Sequence, residues 1–532
     1  MKESQKKKLT GAAIVVMSAI IVSRITGFLR TTLISNLLGS KMETDAFYMA
    51  FSITDLMYNL LVGGAISAAL IPVLTGYIAK KDEEDGWKAV GTFINVIFMA
   101  MIIISAIGIV FSPGIVDFMA KGYTEEAKQL TVRLVRILFP SVSFLMLAGL
   151  VNGVLNSYQK FAAAAYGPSL YNLGSALSVL MFSRFGVEKV ALGFMGSALF
   201  YFLFQLSFAI KNMKYYRPVI KIRHAGFQRL FRLAVPSLLA SSITQINLLI
   251  LNKFTSGFSS GSVTALRNAN DTWQLPYGVF AMGMGMALLP AMSEKSVLDQ
   301  KEDFSRIVSK GLKTVLMLNI PSTVGLMILN VPVISAIYKW SDKVDIALTG
   351  RILIFYSIAL ITQSMLAIIN RAFYAINDTK TPLYVGTITI AANALLCQFF
   401  NSMTNLEVAG IALAYSLSSM LNASMLMFKL EKKTKSLNIG QLMNFIIKVA
   451  LASVVMGMVL AVMDHFAVVD FLRPFSIKSK IGELVYLMME ISVGALVFFI
   501  TAMLLKVDEA VEIFKTAMEK MAQGYRKISK IF

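Results

Sequence analysis

Two arginines stand where a charge is least welcome. In SRITGFLR, residues 23–30, Arg24 and Arg30 interrupt an apolar run that begins as GAAIVVMSAIIV and resumes as LISNLL. Each guanidinium at mid-bilayer depth costs roughly 2.5–3.5 kcal/mol on insertion scales, so it needs a wet cavity, a partner or an interface. The run holds about 30 residues, or ~45 Å at 1.5 Å per residue, which puts Arg24 near its middle. Arg30 lies ~9 Å nearer the outer end and about 120° round the helix, so snorkelling to the interface competes with a cavity there. Arg24 is too deep to snorkel easily and is read as facing a wet cavity. Gly27, between them, lets the helix bend or approach a ligand closely.

Other intramembrane ionisable groups are few. Asp45 and Asp55 open and continue the second apolar segment, in TDAFYMAFSITDL. Asp45, beside Thr44, suits a helix N-terminus as well as it suits a functional site. Arg267 and Asp271, in TALRNANDTW, are four residues apart and share a helix face, where they can pair structurally or serve a ligand. Arg371 and Asp378 fall at a helix end and turn, a structural setting. Deep charge in this chain is mainly arginine, whose planar fork matches phosphate oxygens. A phosphate-bearing substrate is therefore expected, since an exporter of cationic drugs would instead line its cavity with carboxylates. Gln245, Asn247, Asn252 and Asn393 are weak candidates for a sodium site, or equally for hydrogen bonds between helices.

These groups sit in a chain of 532 residues that is 56% hydrophobic and 15% charged, with mean hydropathy +0.68. A soluble protein carries about 25% charged residues, so this composition describes an integral membrane protein. One cysteine, Cys397, excludes a disulfide framework, and His224 and His465 leave little for imidazole catalysis or a metal site. No metal or cofactor is expected. The net charge of +20 reads as the Lys and Arg of cytoplasmic loops rather than as a nucleic-acid surface. The first apolar run is too long and too embedded for a cleaved signal. No GxxxxGK[ST] loop occurs, so no ATP site is expected; a transporter rather than an enzyme follows, driven by the membrane potential or a Na+ or H+ gradient.

Apolar runs of about 20 residues predict fourteen spans, near 9–38, 45–79, 88–112, 129–157, 162–183, 190–212, 230–254, 262–293, 305–330, 346–375, 381–401, 407–429, 439–464 and 481–506. The second, eighth and tenth are long and carry Gly and polar residues, so they are candidates for a bend or break. Alternate loops hold most of the Lys and Arg, which places both termini on the cytoplasmic side. Shifted by 218 residues, the chain meets itself: SRIT at 23 meets SSIT at 241, Pro72 meets Pro290, Arg133 meets Arg351 and Asn152 meets Asn370. The offset spans six helices, so the fold class is all-α with two parallel six-helix repeats plus two extra helices. The domains are an N-lobe, 1–218; a C-lobe, 219–436; a final helix pair, 437–507; and an amphipathic cytoplasmic tail, 508–532. Such repeats place a cavity between lobes that open alternately.

The motifs SRITGFLR (23–30), TDAFYMAF (44–51), GGAISAALIPVL (63–74), LPYGVFAMGMGMALLP (275–290) and RAFYAINDTKTP (371–382) give the chain a resemblance to a known family. It resembles, essentially end to end, the MurJ-type lipid II flippases of the multidrug/oligosaccharidyl-lipid/polysaccharide exporter superfamily. The resemblance implies a cationic central cavity, a lateral portal, and a groove for the lipid tail on the thirteenth and fourteenth helices. It implies the substrate too: undecaprenyl-diphosphate carrying a disaccharide-pentapeptide, moved from inner to outer leaflet of the bacterial cytoplasmic membrane. Arg24 and Arg30 match the family's two first-helix arginines, Asp45 its acidic residue opening the second helix, and Ser67 its small-residue stretch. Thr31 stands where many members have Asp, the second-helix arginine falls at Tyr58 or Asn59, and the eighth-helix Asp-Arg pair falls at Asn270 and Asp271. Arg267, one turn earlier, is our candidate for the missing cation. The expected site is thus Arg24, Arg30 and Arg267 on the diphosphate, with Asp45 and Asp271 tuning those arginines and Ser67 on the facing small-residue surface. Alternatives are a flippase for another polyprenyl-diphosphate-linked glycan, a cation-coupled multidrug exporter, and a membrane-embedded glycosyl- or acyltransferase. Membrane lipids are expected partners and cell-wall synthesis machinery a candidate one; nucleic acid is not.

Overall fold

The structure, a computed structural model, describes residues 2–62, 69–338, 344–434, 438–465 and 480–511. Every element among them is helical. The chain divides into two compact units, 1–268 with 341–345 and 269–340 with 346–532. The first contains α1 (Lys2–Leu38), α2 (Met42–Val62), α3 (Ile71–Ala79), α4 (Glu83–Val110), α5 (Ser112–Met119), α6 (Glu125–Ser157), α7 (Phe161–Phe182), α8 (Val187–Ala209) and α9 (Ala225–Thr255). Helix α10 (Ser262–Pro276) begins in the first unit and ends in the second. The second unit continues with α11 (Gly283–Val297), α12 (Lys301–Ile328), α13 (Asn330–Tyr338), α14 (Ile346–Ala375), α15 (Lys380–Met403), α16 (Val408–Thr434), α17 (Ile439–His465) and α18 (Lys480–Leu504).

The internal repeat recurs in the element boundaries. Helices α4 and α12 are both 28 residues long and begin 218 residues apart; α5 and α13 begin at the same offset, and α6 and α14 end at it. Arg133 Nε meets Glu188, and Arg351 meets Glu407, so the matched arginines each reach an acid at the start of a matched helix. The short helices α5 and α13 went unread in the sequence because eight or nine residues are too few to show a helical period.

Ten helices among the described residues are long and apolar enough to cross a bilayer. Helix α4 shows why lipid is their solvent. It buries Trp87, Val90, Phe93 and Ile94 against its neighbours, yet exposes Phe98, Met99, Ile102, Ile103 and Ile107. A helix apolar all round is at home in a membrane or a large core. Lipid does not push apolar helices together, so close backbones and small polar residues hold them. At the α7–α8 contact Ser178 donates to Val190 O across the helices, with Ser175 and Ser197 buried alongside.

Of the three long spans, the second is divided into α2 and α3, with residues 63–68 between them outside the described set. The eighth changes to a π-helical turn at Tyr277–Met282, directly after Pro276. Proline removes a backbone donor and crowds the preceding turn, and a wider turn absorbs the strain. The tenth runs unbroken as α14. Its polar residues do not break it because Ser357, Thr362 and Ser364 donate to carbonyls of their own helix.

Candidate functional site

The site grows from the α1–α7 contact. Gly27 has no Cβ, and one built there would meet Asn172 Nδ2 of α7 at 3.2 Å. The close approach puts Asn172 between two turns of α1: its Nδ2 donates to Ser23 O at 3.1 Å, and its Oδ1 accepts from an Arg30 terminal nitrogen at 3.0 Å. An asparagine is thus locked by one bond and aims a guanidinium with the other. Arg30 Nε is buried and has no hydrogen-bond partner among the described residues. Its guanidinium carbon lies 5.4 Å from the Phe51 ring centre and 6.0 Å from that of Phe194.

Arg267 arrives from α10 and lies 6.0 Å from the same Phe51 ring and 5.4 Å from Tyr48. Two cations share one aromatic platform, built by Phe47, Phe51 and Phe194 in edge-on and stacked pairs. Aromatic faces attract each guanidinium by roughly 0.5–2 kcal/mol, which partly offsets their mutual repulsion. Together with Thr31, Ile34, Phe47 and Tyr48 these groups line one crevice. It has no room for a water molecule as it stands.

What positions Arg267 is the start of α10, and Asp45 fixes that start. Asp45 Oδ2 accepts from Gly261 N at 2.6 Å, and Oδ1 accepts from Thr264 N at 2.8 Å and Thr264 Oγ1 at 2.6 Å. A helix leaves its first N–H groups unsatisfied, and the N-cap side chain ordinarily covers one. Here the preceding residue is Gly261, with φ +91°, and a Cβ there would meet Ser40 O at 2.9 Å. Glycine brings no capping side chain, so the carboxylate of α2 supplies it from over two hundred residues away. Charge-assisted bonds at a helix N-terminus are among the stronger ones. One residue beyond Arg267, Asn268 Oδ1 accepts from Ser35 Oγ of α1.

The structure therefore brings Arg30 and Arg267 together and gives Asp45 to the α10 cap rather than to the crevice. Arg24 is exposed on α1 and is not a lining residue of the crevice. Asp271 is half-buried on α10 in the second unit. Ser67 lies outside the described residues, as does the side chain of Gln245. Asn247 and Asn252 are half-buried on α9 of the first unit, whereas Asn393 is buried on α15 of the second, with Cys397 Sγ 3.8 Å from its Oδ1. Sequence reasoning missed Asn172. The only trace of it was Gly27, which announced a close approach without saying what approached.

Helices of this number and hydropathy, with guanidinium groups held on aromatic rings inside one of two packed units, define a polytopic membrane transporter fold. Solved structures agree. A lipid II flippase MurJ in an inward closed conformation is similar with TM-score 0.78 and 25% identity, covering 93% of this chain and 99% of that one. An inward-facing multidrug resistance MATE transporter of the MOP superfamily shares the fold at TM-score 0.67 and 17% identity, covering 80% and 98%. The family model described as lipid II flippase MurJ matches residues 34–479. The chain belongs to the lipid II flippase MurJ family. Among its relatives, the probable lipid II flippase MurJ of Buchnera aphidicola subsp. Acyrthosiphon pisum is 29% identical over 453 residues, covering 84% of this chain and 88% of the relative. The lipid II flippase MurJ of Burkholderia cenocepacia is 27% identical over 434 residues, covering 79% and 84%.

Proposed function

We propose that this protein translocates lipid II, the lipid-linked peptidoglycan precursor, from the inner to the outer leaflet of the cytoplasmic membrane by alternating access. Family membership supports the substrate. The observation that carries the mechanism is the sharing of Phe51 by Arg30 and Arg267, with Arg30 Nε still without a partner. Two forks lining one crevice suit a diphosphate, whose oxygens accept several charge-assisted bonds at once. Arg24, on the exposed part of the same helix, meets the diphosphate before it reaches the crevice. Asp45 acts through α10 by holding the turn that carries Arg267. The crevice is closed when empty, opens to the inner leaflet to accept the headgroup, and releases it outward. Membrane potential or a Na+ or H+ gradient drives the cycle; one charge crossing 100 mV is worth about 2.3 kcal/mol, enough to bias a two-state equilibrium.

The test is growth of bacteria depleted of their own lipid II flippase, together with exposure of lipid II on the outer leaflet. The unaltered chain restores both. Arg30→Ala, and separately Arg267→Ala, insert to the same level and restore neither, while Arg30→Lys restores them weakly because an ammonium lacks the fork. Full rescue by both alanine variants overturns the diphosphate role, and failure of the unaltered chain to expose lipid II overturns the substrate.

A further inference from the structure

The final helix pair carries a carboxyl group that the lipid-headgroup site does not use. Glu490 lies eight residues inside the apolar segment Gly482–Leu504, about 12 Å along the helix axis. It sits on the buried face of α18, in line with Leu487, Phe498 and Ala502, and is itself 0% exposed. Neither carboxyl oxygen makes a well-aligned hydrogen bond among the described residues, although the Tyr486 hydroxyl lies within reach and bonds Met463 O instead. An ionised carboxylate taken out of water without a partner costs far more than a hydrogen bond returns, so such a group sheds its charge by taking up a proton.

Helices α17, α13 and α12 pack against α18. From α17, Asp464 is the acid that bears on Glu490 electrostatically. On α18 itself, Tyr486 stands one turn earlier with its hydroxyl donated to Met463 O, and Glu483 accepts from Ser335 of α13. Tyr338 completes α13. The basic groups lie toward the opposite end: Lys448 of α17 donates to Lys506 O, and Lys313 of α12 pairs with Glu509.

We propose that Glu490 is an exchangeable proton-binding site, neutral while α17 and α18 are packed and releasing its proton when the pair parts enough to admit water. Its ligand is the proton, and the device links the packing of the last two helices to pH. The assignment stands independently of the flippase reading, because the group itself can be measured.

The experiment treats the full-length protein in detergent with dicyclohexylcarbodiimide, which attacks protonated carboxyls in apolar surroundings, and maps the adduct by peptide mass spectrometry at pH 6 and pH 9. A water-soluble carbodiimide serves as control and labels exposed Asp464. The expected result is a dicyclohexylcarbodiimide adduct on Glu490 at pH 6 that falls severalfold at pH 9, with little from the water-soluble reagent. In parallel, Glu490→Gln, which mimics the neutral acid, keeps the thermal midpoint of the parent at pH 6 and loses the parent's drop between pH 6 and pH 9. Absence of the adduct at both pH values, an adduct indifferent to pH, or identical pH profiles for parent and variant overturns the proposal.

Discussion

Arg30 is useful only because Asn172 turns it. A hydrogen bond to a charged group contributes about 1.5–3 kcal/mol net, and losing it frees the guanidinium to rotate on Phe51. Asn172→Ala is therefore expected to lower the rate of lipid II exposure about tenfold, roughly the effect of 1.4 kcal/mol, without changing the amount of protein inserted. Asn172→Asp brings a carboxylate within reach of Arg30 and neutralises the cation meant for phosphate, so its rate falls further than that of the alanine variant. A flux assay on cells expressing equal amounts of each protein decides the order. Asp45 belongs to the same argument by a different route. Asp45→Ala leaves the first N–H groups of α10 without their acceptor, a loss of about 1–2 kcal/mol in the range of helix N-caps. Thermal unfolding in detergent should show a lower midpoint for Asp45→Ala than for Asp45→Asn, which retains one acceptor oxygen.

At the scale of elements, the helices were largely legible and their pairings were not. The expected span 346–375 coincides with α14, and 381–401 differs from α15 by one or two residues at each end, because hydropathy and polar turns mark where a chain leaves lipid. The offset of 218 residues was equally legible, since matched prolines and arginines survive translation along the chain. Which helix Asp45 would cap was hidden: its acidic character fits any N-terminus, and α10 is far away in sequence. Glu490 was visible as the lone charge in LVYLMMEISVGALVFFI but says nothing there about being buried. The turn before α15 gives a prediction of its own kind. Burial of Asp378 works to raise its carboxyl, but bonds from Lys433 and from Thr381 Oγ1 and N outweigh it and bring the group down to about 2. A carboxylate held below its unfolded value of about 3.9 stabilises the fold fully above that pH and loses the contribution as pH falls toward about 2. Asp378→Ala should lower the thermal midpoint at pH 7, and the difference from the parent should shrink as pH falls through that window.

For the whole molecule the question is which way it faces. In the first unit, Asp85 meets His224, Tyr158 donates to Glu83, Asn95 donates to Val219 O, and Lys160 donates to Phe208 O, so the ends of α4, α6 and α8 and the loop before α9 share one face. That face holds the basic segment KNMKYYRPVIKIRHAG. In the second unit, Lys433 at the end of α16 meets Asp378, and Lys313 within α12 meets Glu509 at the start of the C-terminal segment. Lys and Arg in short loops are retained on the cytoplasmic side during insertion, whereas Asp and Glu contribute little. The basic face of each unit is therefore expected in the cytoplasm, and with it the C-terminus. A green fluorescent protein fused after Phe532 should fluoresce and alkaline phosphatase fused there should be inactive, while alkaline phosphatase fused after Gly186, in the turn between α7 and α8, should be active. The same orientation sets the direction of the proposed transport, because Arg30 then lies nearer the outer end of α1 than Arg24 does. A headgroup entering from the cytoplasm meets Arg24 first and Arg30 with Arg267 second. If the fusions report the reverse, that order is inverted, and movement from inner to outer leaflet would have to begin at the crevice that is closed in this structure.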